Sequence, residues 1–155
     1  MFRSALAVAA TLAVAATTSA QSFQYPDFAS TAGLALLGNA VQSGNTLQLT
    51  ANSSNQTGWA WHQTKVPVAA GFEAEFSFRI TPPTVGTKAE GMALVIHDDP
   101  NGAAATGGTV WGMGYGAGAN SSQGLRKSLA IELDTYQDGF LGDTSANELT
   151  VHTRG

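Results

Sequence analysis

From residue 45 onward apolar and polar positions alternate with a period of two, the repeat of a strand with one face on a core and the other in water. The clearest stretch is "FEAEFSFRI" (72–80), where Phe72, Ala74, Phe76, Phe78 and Ile80 share one face and Glu73, Glu75, Ser77 and Arg79 the other. It predicts a half-buried antiparallel strand. Further strands are expected at "TLQLT" (46–50), "GMALVIH" (91–97), "LAIELDT" (129–135) and "LTVHT" (149–153), each flanked by Gly, Pro, Asn or Asp. The breaks fall at "TPPTVG", "DDPNG", "AGANSSQG" and "DGFLGD". Nothing after residue 20 carries the period of a long helix, and there is no internal repeat, heptad or low-complexity linker. An all-β antiparallel sandwich follows from this pattern.

The first twenty residues are patterned differently. Arg3, the apolar run "ALAVAATLAVAA" and the small-residue site "TSA" before Gln21 predict an export signal at 1–20, with the domain at 21–155. The apolar run is too short to span a bilayer core, and no other stretch is apolar enough, so no membrane span is expected. A secreted protein, extracellular or in the lumen of the secretory pathway, is the implied destination. After removal of the signal six basic residues face eleven acidic ones, a net charge of −5 without a basic patch, which argues against a nucleic-acid partner. Cysteine is absent, so a packed core rather than a disulfide framework must hold the domain.

Charge is sparse, at 12% of residues, yet Glu132, Asp134, Asp138, Asp143 and Glu148 crowd into a short stretch. Residues two apart on a strand project to one side, so Glu132 and Asp134 are expected together, with Leu129, Ile131 and Leu133 turned to the core. Asp138 and Asp143 follow on a glycine-containing loop that can wrap back over the strand end. Such carboxylates either form a solvated rim or hold a hard cation, since oxygen-rich ligand sets suit calcium and manganese. No EF-hand pattern is present. "GMGYGAG" lacks phosphate-loop spacing and reads instead as backbone that lets another chain segment or a ligand approach closely. Trp59 and Trp61 share one face of "WAWHQ" and read as sheet packing more than as sugar platforms, whereas Trp111 stands apart. His62, His97 and His152 are scattered. Asn52, Asn55 and Asn120 begin N-x-[ST] sequons open to N-glycosylation in a eukaryotic secretory pathway.

Taken together, "EGMALVIHDDPNG", "GGTVWGMGYG" and "SLAIELDTYQDGFLGDTSANELTVHTRG" resemble the legume-type lectin family, and "PDF", "LALLGNAV" and "LQLT" are similar to its opening strands in the same order. The resemblance covers 25–155. It implies an antiparallel jelly-roll β-sandwich of the concanavalin A-like kind, incomplete at its C-terminal end, that recognises glycans or glycoproteins with the help of metal ions. Carried onto this sequence, it makes Asp134 and Asp143 carboxylates shared by calcium and a second divalent metal such as manganese. Glu132 and Glu148 are then ligands of that second metal. Tyr136 offers its main-chain carbonyl to calcium and its ring to a sugar face. Asp138 stands where the family usually has Asn, keeping an oxygen for calcium without the amide donor for a sugar hydroxyl. Glu148 stands where a His is usual, which leaves the second site all-oxygen and favours calcium, magnesium or no ion over manganese. Glu90 takes the place of a sugar-binding Asp, and Gly108 that of a glycine whose main-chain N–H meets the sugar.

Two other function classes were weighed. Jelly-roll glucanases usually carry E-x-D-x-x-E on such a strand, and here Glu132 and Asp134 fit the first two places but Gln137, which cannot act as a general acid, fills the third. No Ser lies in G-x-S-x-G, so an enzyme is not expected. A recognition module for non-sugar ligands on the same scaffold stays open, because of the changes at Glu90 and Asp138. If residues 1–20 are a signal, N-terminal sequencing of exported material should begin at or near Gln21; a retained Met1 would contradict the assignment.

Overall fold

The computed structural model describes residues 21–82 and 90–154, so the export signal expected at 1–20 lies outside the described residues. The elements are antiparallel strands with two single-turn 3-10 segments, Gly102–Ala104 and Val110–Gly112. β1 (Leu34–Gly38) pairs with β4 (Gly58–His62) in a two-stranded sheet, in the register Leu37↔Trp59 and Ala35↔Trp61. Between them β2 (Val41–Ser43) and β3 (Thr46–Gln48) form a hairpin closed by Gly44 and Asn45, with Gly44 at φ +58° as a two-residue turn demands. A three-stranded sheet carries the rest: β5 (Gly91–His97), a central β6 (Ser128–Asp134) and β7 (Glu148–Arg154).

A long segment, 98–127, leaves β5 and returns to β6 as a cover over one sheet face. Asp99 fixes its two ends: buried at 6% exposure, its carboxylate accepts the main-chain N–H of Asn101 (2.9 Å) and of Arg126 (3.0 Å). Those two N–H groups, Arg126 first, hold the Asp99 carboxyl below its ordinary range. The indoles of Trp59 and Trp61 reach across from β4 and donate to the carbonyls of Gly114 (2.6 Å) and Ala105 (2.8 Å). Both tryptophans therefore pack, as their shared face suggested. The middle of the cover lies backbone on backbone: a Cβ at Gly108 would sit 2.2 Å from the Gly118 nitrogen. Leu125 comes down onto the sheet and is the largest fully buried side chain among the described residues.

Three sequence expectations need correction. The segment 72–80 forms no strand: no described strand lies alongside it, and Phe72, Phe76, Phe78 and Ile80 are exposed. Alternation prepares a face, but a strand needs a neighbour to take its N–H and C=O groups. On β6 the covered face is the polar one. Ser128, Ala130 and Glu132 are buried, while Leu129, Ile131 and Leu133 are half-buried, because the cover sits on the even-numbered side. The packed core is also thin, its buried apolar members among the described residues being Ala40, Ala105, Leu125 and Ala130. Leu149 and Val151, opposite Leu133 and Ile131 in the ladder, remain exposed.

Gly91 shows what the sheet demands where β5 begins. It pairs with Asp134 at φ +129°, a conformation closed to L side chains, and a Cβ there would lie 2.1 Å from the Leu133 carbonyl oxygen. Gly91→Ala should therefore destabilise the domain by about 1–3 kcal/mol or more in denaturant unfolding. An unchanged midpoint would show that this strand end is not held as described.

Candidate functional site

The open end of β5, β6 and β7 forms one cavity of about 370 Å³, lined by Glu90, Glu132, Asp134, Asp138, Asp143 and Glu148, with Trp111, Tyr115 and His152 on its walls. Each acid arrives by a different route. Glu132 and Asp134 project from the covered face of β6, as the strand period requires. Glu90 precedes β5, and its carbonyl accepts the Thr135 N–H (3.0 Å), tying the two strand ends together. The 135–147 loop closes on itself: Asp143 Oδ2 accepts the Asp138 N–H (2.8 Å), Gln137 donates to the Asp143 carbonyl (3.2 Å), and Leu141 N–H bonds the Asp138 carbonyl (2.8 Å). Glu148 starts β7 and its Oε1 accepts from Thr144 N, Thr144 Oγ1 and Ser145 N at 2.8, 2.5 and 2.6 Å.

The acids thus fall into two groups. Glu132 is buried, at 9% exposure, and saturated: Oε1 accepts the Tyr115 hydroxyl (2.6 Å), Oε2 accepts that of Thr150 (2.8 Å), and His152 Nε2 lies 3.0 Å from Oε2. Burial, with this bond to Glu132, raises the Tyr115 hydroxyl pKa well above its ordinary value. Glu148 is likewise committed, and its three donors, the Thr144 hydroxyl first, hold it below the ordinary range. By contrast Glu90, Asp134, Asp138 and Asp143 face one another without a Lys or Arg among the described lining residues. Desolvation first, then the Asp138 carboxylate to which it hydrogen-bonds, pushes Glu90 up to about 7. Asp134 is also raised, by desolvation and by Asp143, Glu132 and Asp138, against the lowering effect of the Tyr136 N–H bonded to its Oδ1 (2.8 Å).

Two of the sequence candidates lie apart. Gly108 is buried in the cover, where its N–H donates to the Gly116 carbonyl (2.7 Å). The Tyr136 ring is exposed and does not line the cavity. Of the sequons, Asn52 and Asn55 are exposed and Asn120 uses its Oδ1 to accept the Thr109 N–H (2.7 Å). Sequence reasoning did not single out Tyr115, Thr150 or the pocket role of His152. Thr150 stands opposite Glu132 in the ladder, so the strand period would have found it once the register was known.

Residues 20–154 match the legume lectin domain. The chain belongs to that family. Its fold class is accordingly the concanavalin A-like one, which the all-β antiparallel architecture fits, and the family is a carbohydrate-binding, non-catalytic one whose members typically bind metal ions. A relative from Arabidopsis thaliana, named "Probable L-type lectin-domain containing receptor kinase II.1", is 30% identical over 135 residues, 83% of this chain. The chain spans 20% of that relative's length. Among the described residues no helix is long and apolar enough to cross a membrane.

For this legume lectin domain the metal question divides with the acids. No three His, Asp or Glu side chains among the described residues are grouped closely enough to ligate an ion as they stand. The chemistry of Asp134, Asp138 and Asp143 nevertheless suits a hard cation, since these carboxylates crowd one cavity without a Lys or Arg among its described lining residues. The second-metal set fits poorly, because Glu132 and the bonded oxygen of Glu148 already serve other donors.

Glu90 also sets a pH dependence. Its folded pKa of about 7 lies above the ordinary 4.5, so the folded state binds the extra proton and its stabilising effect is lost as pH rises through that window. In EDTA, the Glu90 contribution should fade between about pH 4.5 and 7, with the raised Asp134 acting in the same direction and the lowered His97 in the opposite one. Glu90→Gln should flatten that decline in thermal melts; a variant with an unchanged pH profile would show that Glu90 does not titrate there.

Proposed function

We propose that the domain recognises glycans at this cavity, with calcium held by Asp134, Asp138, Asp143 and the main-chain carbonyl of Tyr136. The observation that carries the reading is the gathering of Glu90, Asp134, Asp138 and Asp143 on one cavity, with raised Glu90 and Asp134 and no Lys or Arg on its described walls. Calcium, when bound, supplies the positive charge that this cluster lacks. The residues then divide the work of recognition. Glu90 and Asp138 accept hydrogen bonds from sugar hydroxyls, and the exposed ring of Trp111 on the cavity wall offers flat apolar surface to a pyranose face. Secretion, with loss of residues 1–20 and glycan addition at the exposed sequons, belongs to the same reading, and the receptor-kinase relative is in keeping with it.

One feature favours a second reading, an apolar ligand. Trp111 packs edge-to-face on Phe140 (centroids 5.6 Å apart), and Phe140 and Leu141 beside the cavity are 69% and 54% exposed.

Calorimetry with methyl hexosides, backed by a glycan array, should show binding in calcium and none in EDTA. A sugar hydroxyl without its donor partner costs on the order of 1–3 kcal/mol, so Asp138→Asn with Glu90→Asp should tighten hexose binding roughly ten- to hundredfold. Tight hexose binding by the wild type that the double variant weakens would show Asp138 and Glu90 to be working contacts as they stand. Binding of an apolar fluorescent probe with a blank array would favour the second reading.

A further inference from the structure

The second cation position implied by the family resemblance is where this chain's donors fit worst. Glu132 lies on the central strand, with β7 on one side and the cover above, and each neighbour supplies a partner. Tyr115 comes from the cover to Oε1 (2.6 Å); Thr150, directly across the β6–β7 ladder, comes to Oε2 (2.8 Å). His152, two residues further along the same face of β7, places Nε2 3.0 Å from Oε2 and 3.1 Å from Thr150 Oγ1. Both oxygens of a buried carboxylate thereby carry a directed donor. An ion here would have to share these oxygens with the Tyr115 and Thr150 hydroxyls without turning the carboxylate away from them, since a buried polar group left without a partner is costly, and it would meet an all-oxygen donor set that suits a transition metal poorly. Glu148, the other side chain special to that position, spends Oε1 on three donors of the 144–145 turn that leads into β7.

We infer that the second-metal position of the family is replaced here by a hydrogen-bonded pin, with Glu132 as a positioning residue that joins the glycine-rich cover to β6 and β7. The pin sets the height of the cover, and with it the cavity wall formed by Tyr115, Met113 and Trp111, a task that requires no transition metal. The inference rests on the proposed glycan and calcium reading only for the cation expected next door.

The test uses the full chain, equilibrated with calcium and manganese together, desalted, and assayed for both metals by mass spectrometry, with thermal melts in parallel. Manganese should not be retained in stoichiometric amount. Tyr115→Phe should lower Tm by roughly 4–8 °C, the loss of one bond to a buried carboxylate, by the same amount with and without manganese. Thr150→Val, close in shape to the wild type, should show the same pattern if Tyr115→Phe fails to fold. Stoichiometric manganese that Glu132→Gln abolishes would overturn the inference, as would an unchanged Tm in both hydroxyl variants. A protein that binds neither metal would remove the calcium reading and leave the pin standing; one that binds both would do the reverse.

Discussion

The site depends on backbone meeting backbone within residues 107–118. Gly108 N–H bonds the Gly116 carbonyl at 2.7 Å and Gly114 N–H returns to the Gly108 carbonyl at 2.8 Å, an approach that a side chain at Gly108 would prevent. This tight packing turns a polar, glycine-rich stretch into a lid with a defined underside. Once the lid is in place, Leu125 has a buried seat, the two indoles of β4 have carbonyls to bond, and Tyr115 reaches Glu132. The cavity is the space left between that lid and the loop that follows β6.

Crowded carboxylates are handled in two ways within the one cavity. Glu132, the most buried, is held by two directed hydroxyl donors, with the His152 imidazole nitrogen 3.0 Å from Oε2. Such satisfaction is specific in geometry and gives each oxygen a partner. Glu148 is held by the 144–145 turn, and the other four acids, Glu90, Asp134, Asp138 and Asp143, lie at the cavity mouth, where main-chain N–H groups satisfy single oxygens of Asp134 and Asp143 and no Lys or Arg among the described lining residues offsets the charge. Glu90 and Asp134 are raised by burial first and then by this crowding of like charge. A fold that keeps unbalanced charge at the mouth of a cavity, while satisfying it beneath the lid, has concentrated its binding potential at the mouth.

The apolar inventory is less settled. The lid covers one sheet face, whereas the opposite face, with Leu133 and Ile131 beside the exposed Leu149 and Val151, has no second layer among the described residues. The phenylalanines of 72–80 are in the same condition. Burial of each such side chain would stabilise by roughly 1.5–3 kcal/mol, a contribution that the described packing leaves unused at these positions.

By itself the sequence determined the elements whose rules are local. Turn residues and alternation located the strands at 91–97, 128–134 and 148–154 closely, marked Trp59 and Trp61 as packing residues, and showed that acids from 132 to 148 belong together. The family was legible too, because its motifs are short and ordered along the chain. Tertiary structure alone decided the rest. Which face of β6 is covered depends on where residues 98–127 fold back, and a period of two is indifferent to that choice. Segment 72–80 has a strand's pattern without a strand's neighbours, since pairing is a property of two segments. The partners of Glu132 come from positions 115, 150 and 152; ladder register and lid height bring them together, and neither is written in any one stretch of the chain.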